Sequence, residues 1–332
     1  MKIKSEWDII KGIKTLIDKK GIANPKDLIE PIGDDCAVFR VGKNKLGLIT
    51  TDISIESVHF KRGLISLKDI GFKAMMGNIS DITAMGGQAK FAFISLGLPA
   101  GFTEENALAI YEGMLEAGNM TGLSIAGGDT SNAKEIVINI ALYGETTNQS
   151  LIRRKGARVN DIIYVTGNLG DSSAGLEILL AGNKKNFRQF PRVIEKHKRP
   201  VARFGIIKEI VSRFKPTAMI DISDGLLSDL RHICERSSTG FKLVEELPTS
   251  DELSKYCNQK KKSPQKYGLN SGEEYELLFT SNRKNVPISI NNIPITPIGV
   301  IIDKGFLIAK NEKMCTIKIT GFDHFIIKGK SS

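Results

Sequence analysis

Cysteine is scarce in this chain. Cys36, Cys234, Cys257 and Cys315 lie far apart and form no C-x-x-C pair, which removes both a disulfide framework and a zinc site. No apolar run approaches the ~20 residues a membrane span needs. The opening residues, Met1-Lys2-Ile3-Lys4-Ser5-Glu6-Trp7-Asp8, lack the apolar core of a secretory signal. A soluble, cytoplasmic protein without membrane partners is therefore expected. Aromatic residues make up only 7%, and the basic runs Arg153-Arg154-Lys155-Gly156-Ala157-Arg158 and Lys260-Lys261-Lys262 contain none to stack on bases. The net charge of +10 is dispersed, so no nucleic-acid partner is expected. Familiar nucleotide motifs are missing as well. There is no G-x-G-x-x-G and no G-x-S-x-G, and a Walker loop ending in Gly329-Lys330-Ser331 would need a glycine where His324 stands.

What is present is ordinary globular composition, 41% hydrophobic and 25% charged, over 332 residues, enough for two domains. Ile9, Ile10, Ile13, Leu16 and Ile17 recur at helical spacing. Periodicity then predicts strands at 46–50, 91–98 and 136–143 with helices at 67–85 and 103–122 between them. The polar stretch 145–150 breaks this pattern and places a domain boundary there, giving domains 1–148 and 149–332. The second half restarts with a strand at 162–166, a helix at 172–180, and a strand at 217–222 that runs into a helix at 226–234. Residues 249–266, polar and rich in lysine, read as a mobile loop. The fold class expected is α/β (α+β), with mixed sheets carrying packed helices.

Carboxylates sit repeatedly beside glycines and hydroxyls at the ends of apolar segments. The places are Gly33-Asp34-Asp35, Thr50-Thr51-Asp52, Asn78-Ile79-Ser80-Asp81, Gly127-Gly128-Asp129-Thr130 and Asp221-Ile222-Ser223-Asp224-Gly225. One such aspartate is ordinarily a turn former or helix cap. Converging, they would repel one another unless cations neutralised them. All-oxygen ligands select hard cations, and Mg²⁺ with phosphates fits best. Several Mg²⁺ ions beside glycine-rich turns are equipment for polyphosphate chemistry. No Ser–His or Cys–His pair offers a general base.

At these residues the chain resembles the thiamine-monophosphate kinases, members of the PurM-like superfamily that includes aminoimidazole ribonucleotide synthetase. The carboxylate segments above carry the resemblance, together with Val58-His59-Phe60, Val165-Thr166-Gly167-Asn168-Leu169-Gly170, Gly272-Glu273-Glu274-Tyr275-Glu276-Leu277 and Gly321-Phe322-Asp323-His324-Phe325. It implies a two-domain PurM-like fold and in-line transfer of the ATP γ-phosphoryl group to thiamine monophosphate, giving thiamine diphosphate and ADP. It implies Asp35, Thr50, Thr51, Asp52, Asp81, Asp129, Asp221 and Asp224 as Mg²⁺ ligands, with Asp81 and Asp224 central to catalysis. Tyr111, Gly128, Asp129, Arg154 and Ser223 would contact ATP; His59, Glu273 and Phe322 would contact the thiamine end. It also implies a homodimer with strands paired across the interface. The chain departs from the usual family pattern at Glu274, where aspartate is common, at Val159-Asn160-Asp161, in place of Pro-Gly-Asp, and at Phe322, in place of tyrosine. Nothing before Cys36 matches the reactive loop of selenophosphate synthetases, and the end Lys328-Gly329-Lys330-Ser331-Ser332 lacks the terminal cysteine of hydrogenase-maturation relatives.

Overall fold

A computed structural model describes residues 5–20, 25–283, 286–311, 313–317 and 319. The chain opens with α1 (Glu6–Lys19), capped by Ser5, whose Oγ accepts from the Asp8 amide at 3.1 Å. There follow β1 (Leu28–Glu30), β2 (Ala37–Arg40), β3 (Lys45–Ile55), α2 (Leu67–Ala84), β4 (Gln88–Leu98), α3 (Glu104–Thr121), β5 (Ser124–Asn132) and β6 (Val137–Thr147). These strands form one sheet in the order β1-β2-β3-β6-β4-β5, antiparallel except for the β4–β5 pair. Alternation on β6 buries Ile138, Ile140 and Leu142 against α2, whose Met75, Met76, Ile79 and Ile82 are fully enclosed. Helices α2 and α3 approach so closely that a Cβ on Gly71 would lie 1.9 Å from the Ile110 carbonyl oxygen, and one on Gly113 1.8 Å from that of Lys68.

The second half comprises β7 (Ile162–Thr166), α4 (Asp171–Ala181), α5 (Lys184–Gln189), α6 (Pro191–Lys198), the single turn α7 (Ile207–Glu209), β8 (Ala218–Asp221), α8 (Leu226–Ser237), β9 (Gly240–Leu243), α9 (Asp251–Lys260), α10 (Pro264–Asn270), β10 (Leu277–Ser281), β11 (Ser289–Ile290), β12 (Ile293–Ile302), β13 (Phe306–Lys310) and β14 (Lys313–Thr316). Its sheet runs β14-β13-β9-β12-β7-β10-β8, with β11 paired to β12 and only β13–β9 parallel among the described strands. One face buries Val165, Ile220 and Phe241 against Leu230 and Ile233 of α8. The other packs Tyr164 on Phe279, stacked at 5.4 Å. The first half's core is continuous with Ile178, Phe190, Val193 and Tyr256, with α6 against α2 and α4 and α9 packed on α6.

The mixed-sheet fold agrees with the expectation, but two local readings are corrected. Residues 249–266 are not a loop. Ser250 caps α9 by accepting from the Leu253 amide at 3.0 Å, and Leu253, Tyr256 and Cys257 are buried at helical spacing; Pro264 then starts α10. The Gly127-Gly128-Asp129 segment is not a turn either, since it lies within strand β5. No helix among the described residues is long and apolar enough to cross a membrane.

Candidate active site

Three carboxylates converge where the two sheets meet. Asp35 lies in the β1–β2 connection, Asp81 in the last turns of α2, and Asp221 at the end of β8. One oxygen from each lies within 4.8 Å of the other two. Neighbouring hydroxyls fix their orientation: Thr50 Oγ1 donates to Asp81 at 2.5 Å, and Ser80 Oγ donates to Asp221 at 2.6 Å. Arg154 Nε donates to Asp35 Oδ1 at 3.0 Å, joined by its Nη2, while its backbone N–H reaches both Asp34 oxygens at 3.2 Å. Asp35 Oδ2 and Asp221 Oδ1 remain buried with no hydrogen-bond partner among the described residues. Buried carboxylate oxygens without donors are costly in protein alone, and a hard cation is the partner that suits them.

The electrostatics say the same. Burial raises the Asp81 carboxyl well above its ordinary value, and Asp52, Asp221 and Asp35 push it further. Asp221 rises to about 7 through burial and then Asp35. Asp34 rises to about 7 for the same two reasons, burial and Asp35. Asp52, exposed at the cleft on the same face of β3 as Thr50, is raised to about 6 by desolvation from the protein packed around it and then by the charges of Asp35 and Glu6. Burial also raises Asp35, against the pull of Arg154. Burial opposes the charge of Arg154, but Asp35 and Asp34 more than restore it. Four or five carboxylates with one guanidinium among them form an acidic cluster that favours added cations.

Asp224 sits in the loop between β8 and α8, and it is not the cap of that helix: Gly225 is, with no side-chain bond. Instead, Asp229 Oδ2 turns back to accept from the amides of Ser223, Asp224 and Gly225 at 3.2, 3.3 and 3.1 Å. Asp229 thus holds the loop that presents Ser223 and Asp224. The Ser223 carbonyl accepts from the Glu273 amide at 2.8 Å, which ties the loop to Glu273. Glu273 and Tyr275 have φ of 56° and 50°, in the left-handed region. Along this segment Glu273 and Tyr275 face α2, whereas Glu274 and Glu276 are wholly buried in the second half. Glu274 Oε1 accepts from the Gly170 and Ser172 amides at 2.9 and 3.1 Å, capping α4. The extra methylene of Glu274 therefore serves a helix terminus and does not face the carboxylate cluster. At the second departure Asn160 adopts a φ of 72°, taking the turn position of the usual glycine.

Other expected site residues lie elsewhere. Thr51 is on the opposite face of β3 from Thr50, where its Oγ1 accepts from Asn139 Nδ2 at 3.1 Å. Asp129 lies on β5. Across the sheet the register runs Asp52, Ile140, Ile94, Gly128, so β5 is three strand spacings, ~14 Å, from β3. Within the chain Asp129 does not join Asp35, Asp81 and Asp221. A Cβ on Gly128 would lie 1.9 Å from the Ile94 carbonyl oxygen, so strand contact alone requires glycine there. Tyr111 packs on the first core, with no hydrogen bond or ring contact to the cluster among the described residues. His59 Nδ1 accepts from the Ile55 amide at 3.0 Å, which fixes the ring beside the end of β3. Phe322 lies outside the described residues. Asp34 stood in one of the carboxylate segments without a role assigned to it, and Asp229 and Lys73 were not singled out from the sequence. Lys73 does carry a signal, a lysine inside the apolar run Phe72-Lys73-Ala74-Met75-Met76.

Two mixed sheets meeting at a carboxylate-lined cleft define the AIR synthase-related, PurM-like class, and the family described as AIR synthase related protein, N-terminal domain, matches residues 33–146. Thiamine-monophosphate kinase of Aquifex aeolicus (strain VF5) is 41% identical over 251 residues, covering 75% of this chain and 80% of the relative. That of Bacillus subtilis (strain 168) is 35% identical over 306 residues, covering 89% and 93%. A solved structure described as AaThiL complexed with AMPPCP and TMP superposes with a TM-score of 0.86 at 34% identity, covering 98% of this chain and 99% of that one. The chain belongs to the thiamine-monophosphate kinase family, and is a kinase.

Proposed function

We propose that this kinase transfers the γ-phosphoryl group of ATP to thiamine monophosphate in line, with Mg²⁺ held at the carboxylate cluster, releasing thiamine diphosphate and ADP. The observation that carries the reading is the convergence of Asp35, Asp81 and Asp221, two of them with orphaned buried oxygens, in a chain whose relatives bear that name. Those three would hold Mg²⁺ directly, with Thr50, Asp52 and Asp224 at the rim. Bound there, Mg²⁺ would offset the charge of the polyphosphate and of the transferring group. The acceptor is itself a phosphate, ionised near neutral pH, so no side chain is required to remove a proton from it. Arg154 orients Asp35 and supplies a guanidinium at the cluster. Ser223 and Asp224 are held toward the cleft by Asp229, and His59 and Glu273 close the acceptor end.

A homodimer completes this reading. Ile49, Ile53, Phe91 and Phe93, 43–48% exposed, share the outer face of the first sheet with Thr51. An apolar sheet face of this kind is typical of an interface between copies. Asp129, remote from the cluster within one protomer, would then act beside a second copy.

The test is ADP release with ATP and Mg²⁺ in the presence of thiamine monophosphate, free thiamine or no acceptor, with the product identified by chromatography. Turnover confined to the monophosphate, giving the diphosphate and lost on chelation, is the expected result. ADP release independent of acceptor would overturn it.

A further inference from the structure

We propose that Lys73 is a positioning residue of the acceptor site. Paired with Glu273, it makes that end of the cleft an electrically neutral wall. The wall offers one carboxylate oxygen to an N–H donor of the acceptor's aminopyrimidine, and no counter-charge to its thiazolium ring. The inference rests on thiamine monophosphate being the acceptor.

Lys73 lies on the buried face of α2, its side chain only 7% exposed, and its Nζ is 2.6 Å from Glu273 Oε2. A buried ammonium ion needs a partner, and no other carboxylate pairs with Lys73 among the described residues. Glu273 is the outer member, 33% exposed, and its Oε1 makes no hydrogen bond among the described residues. Its backbone is pinned by the bond to Ser223 and by its left-handed conformation. Among the described residues Lys73 is the cation bonded to Glu273, and two histidines stand beside the pair. His197 Nδ1 stands 4.0 Å from the same Oε2, but burial and then Lys73 lower its pKa to about 4. His59 Nδ1 is occupied by the Ile55 amide. Lys73 and Glu273 therefore cancel, and what remains for the acceptor is a hydrogen-bond acceptor of fixed direction. Lys73 and Asp81 are two turns apart on α2, ~12 Å along its axis. One helix thus spaces the ring end of the acceptor from its phosphate end.

The experiment compares Lys73→Met, Lys73→Arg, Glu273→Gln and the double variant Lys73→Met/Glu273→Gln. It measures kcat and KM for both substrates, and competitive inhibition by the thiazolium phosphate fragment that lacks the pyrimidine. Lys73→Met should raise KM for thiamine monophosphate about 10–100-fold, the value of a hydrogen bond to a charged group. KM for ATP and inhibition by the fragment should be unchanged, and Lys73→Arg should recover most of the loss. In the double variant Lys73→Met should add nothing to Glu273→Gln. That variant leaves no uncompensated charge, so it carries the test even if Lys73→Met alone fails to fold. Equal weakening of the fragment, or a further loss in the double variant, would overturn the proposal. A wild-type enzyme that ignores thiamine monophosphate would overturn the functional reading and this one with it.

Discussion

Asp81 is hemmed in by Asp35 and Asp221 and faces Asp52, and burial together with those carboxylates raises it well above its ordinary value. Asp81→Asn should lower phosphoryl transfer on the order of 100-fold or more, the scale of losing a group that stabilises transferring charge. Unfolding of the chelated protein should not fall, because one repelling carboxylate has gone; a collapsed Tm would show that Asp81 is structural instead. The same cluster sets a pH dependence. Asp34 and Asp221 titrate at about 7 and Asp52 at about 6, all raised from 3.8. Groups raised on folding bind protons more tightly in the native state, so their contribution is fully present below about 4 and is lost as pH rises through 6 to 7. In chelator the protein should lose stability between pH 5 and 8, and excess Mg²⁺ should flatten the curve. Thermal unfolding across that range, with and without Mg²⁺, measures it. The carboxylates were legible in the sequence because they recur beside glycines and hydroxyls. Lys73 showed only as a lysine inside an apolar run, because its partner lies 200 residues away, and Asp229 read as an ordinary polar residue of α8 although the amides it holds are only four to six residues before it.

At the scale of elements, α2 organises the cleft: it holds Lys73 and Asp81 on one flank and packs its other flank on α3. That packing depends on backbone contact at Gly71 and Gly113. Gly113→Ala would drive a methyl group to 1.8 Å from the Lys68 carbonyl oxygen, so the helices must separate. A loss of about 2–3 kcal/mol is expected, read from denaturant unfolding, and an unchanged midpoint would refute the contact. Glu274→Ala should uncap α4 at a cost of about 1–2 kcal/mol while leaving metal affinity intact, because its carboxylate faces Gly170 and Ser172. Long helices such as α2 and α3 were legible from their periodicity. Helix α9 was concealed by its polar composition, Lys255 and Lys260 among it, since three buried residues at helical spacing suffice to dock it. Strand β5, Ser124–Asn132, shows no alternating pattern, because it lies at the sheet edge with most of both faces exposed.

For the whole molecule, the outer face of the first sheet is the feature to test. Phe93→Glu introduces a charge at a site 48% exposed in one protomer, so the fold should persist. If this face joins two copies, the variant should sediment as a monomer and lose activity, because Asp129 would no longer lie beside a second copy. A dimer of unchanged stability would place the interface elsewhere. The two halves of the chain are joined over the cleft by Arg154 to Asp34 and Asp35, by Ser80 to Asp221 and by Lys73 to Glu273. Relative motion of the halves would therefore break charged bonds that also build the site.

The sequence by itself determined the class of chemistry and most of the elements. Carboxylates without histidine or cysteine partners select a hard cation, and apolar periodicity is a local property of the chain. Which carboxylates meet was decided by tertiary structure alone. Strand order puts β5 three spacings from β3 and so removes Asp129 from the group that holds Asp35, Asp81 and Asp221. The two-residue period of β3 sends Thr50 to the cluster and Thr51 to the opposite face. Pairing between residues 200 positions apart, Lys73 with Glu273, depends on how the halves dock, and spacing along the chain does not encode it.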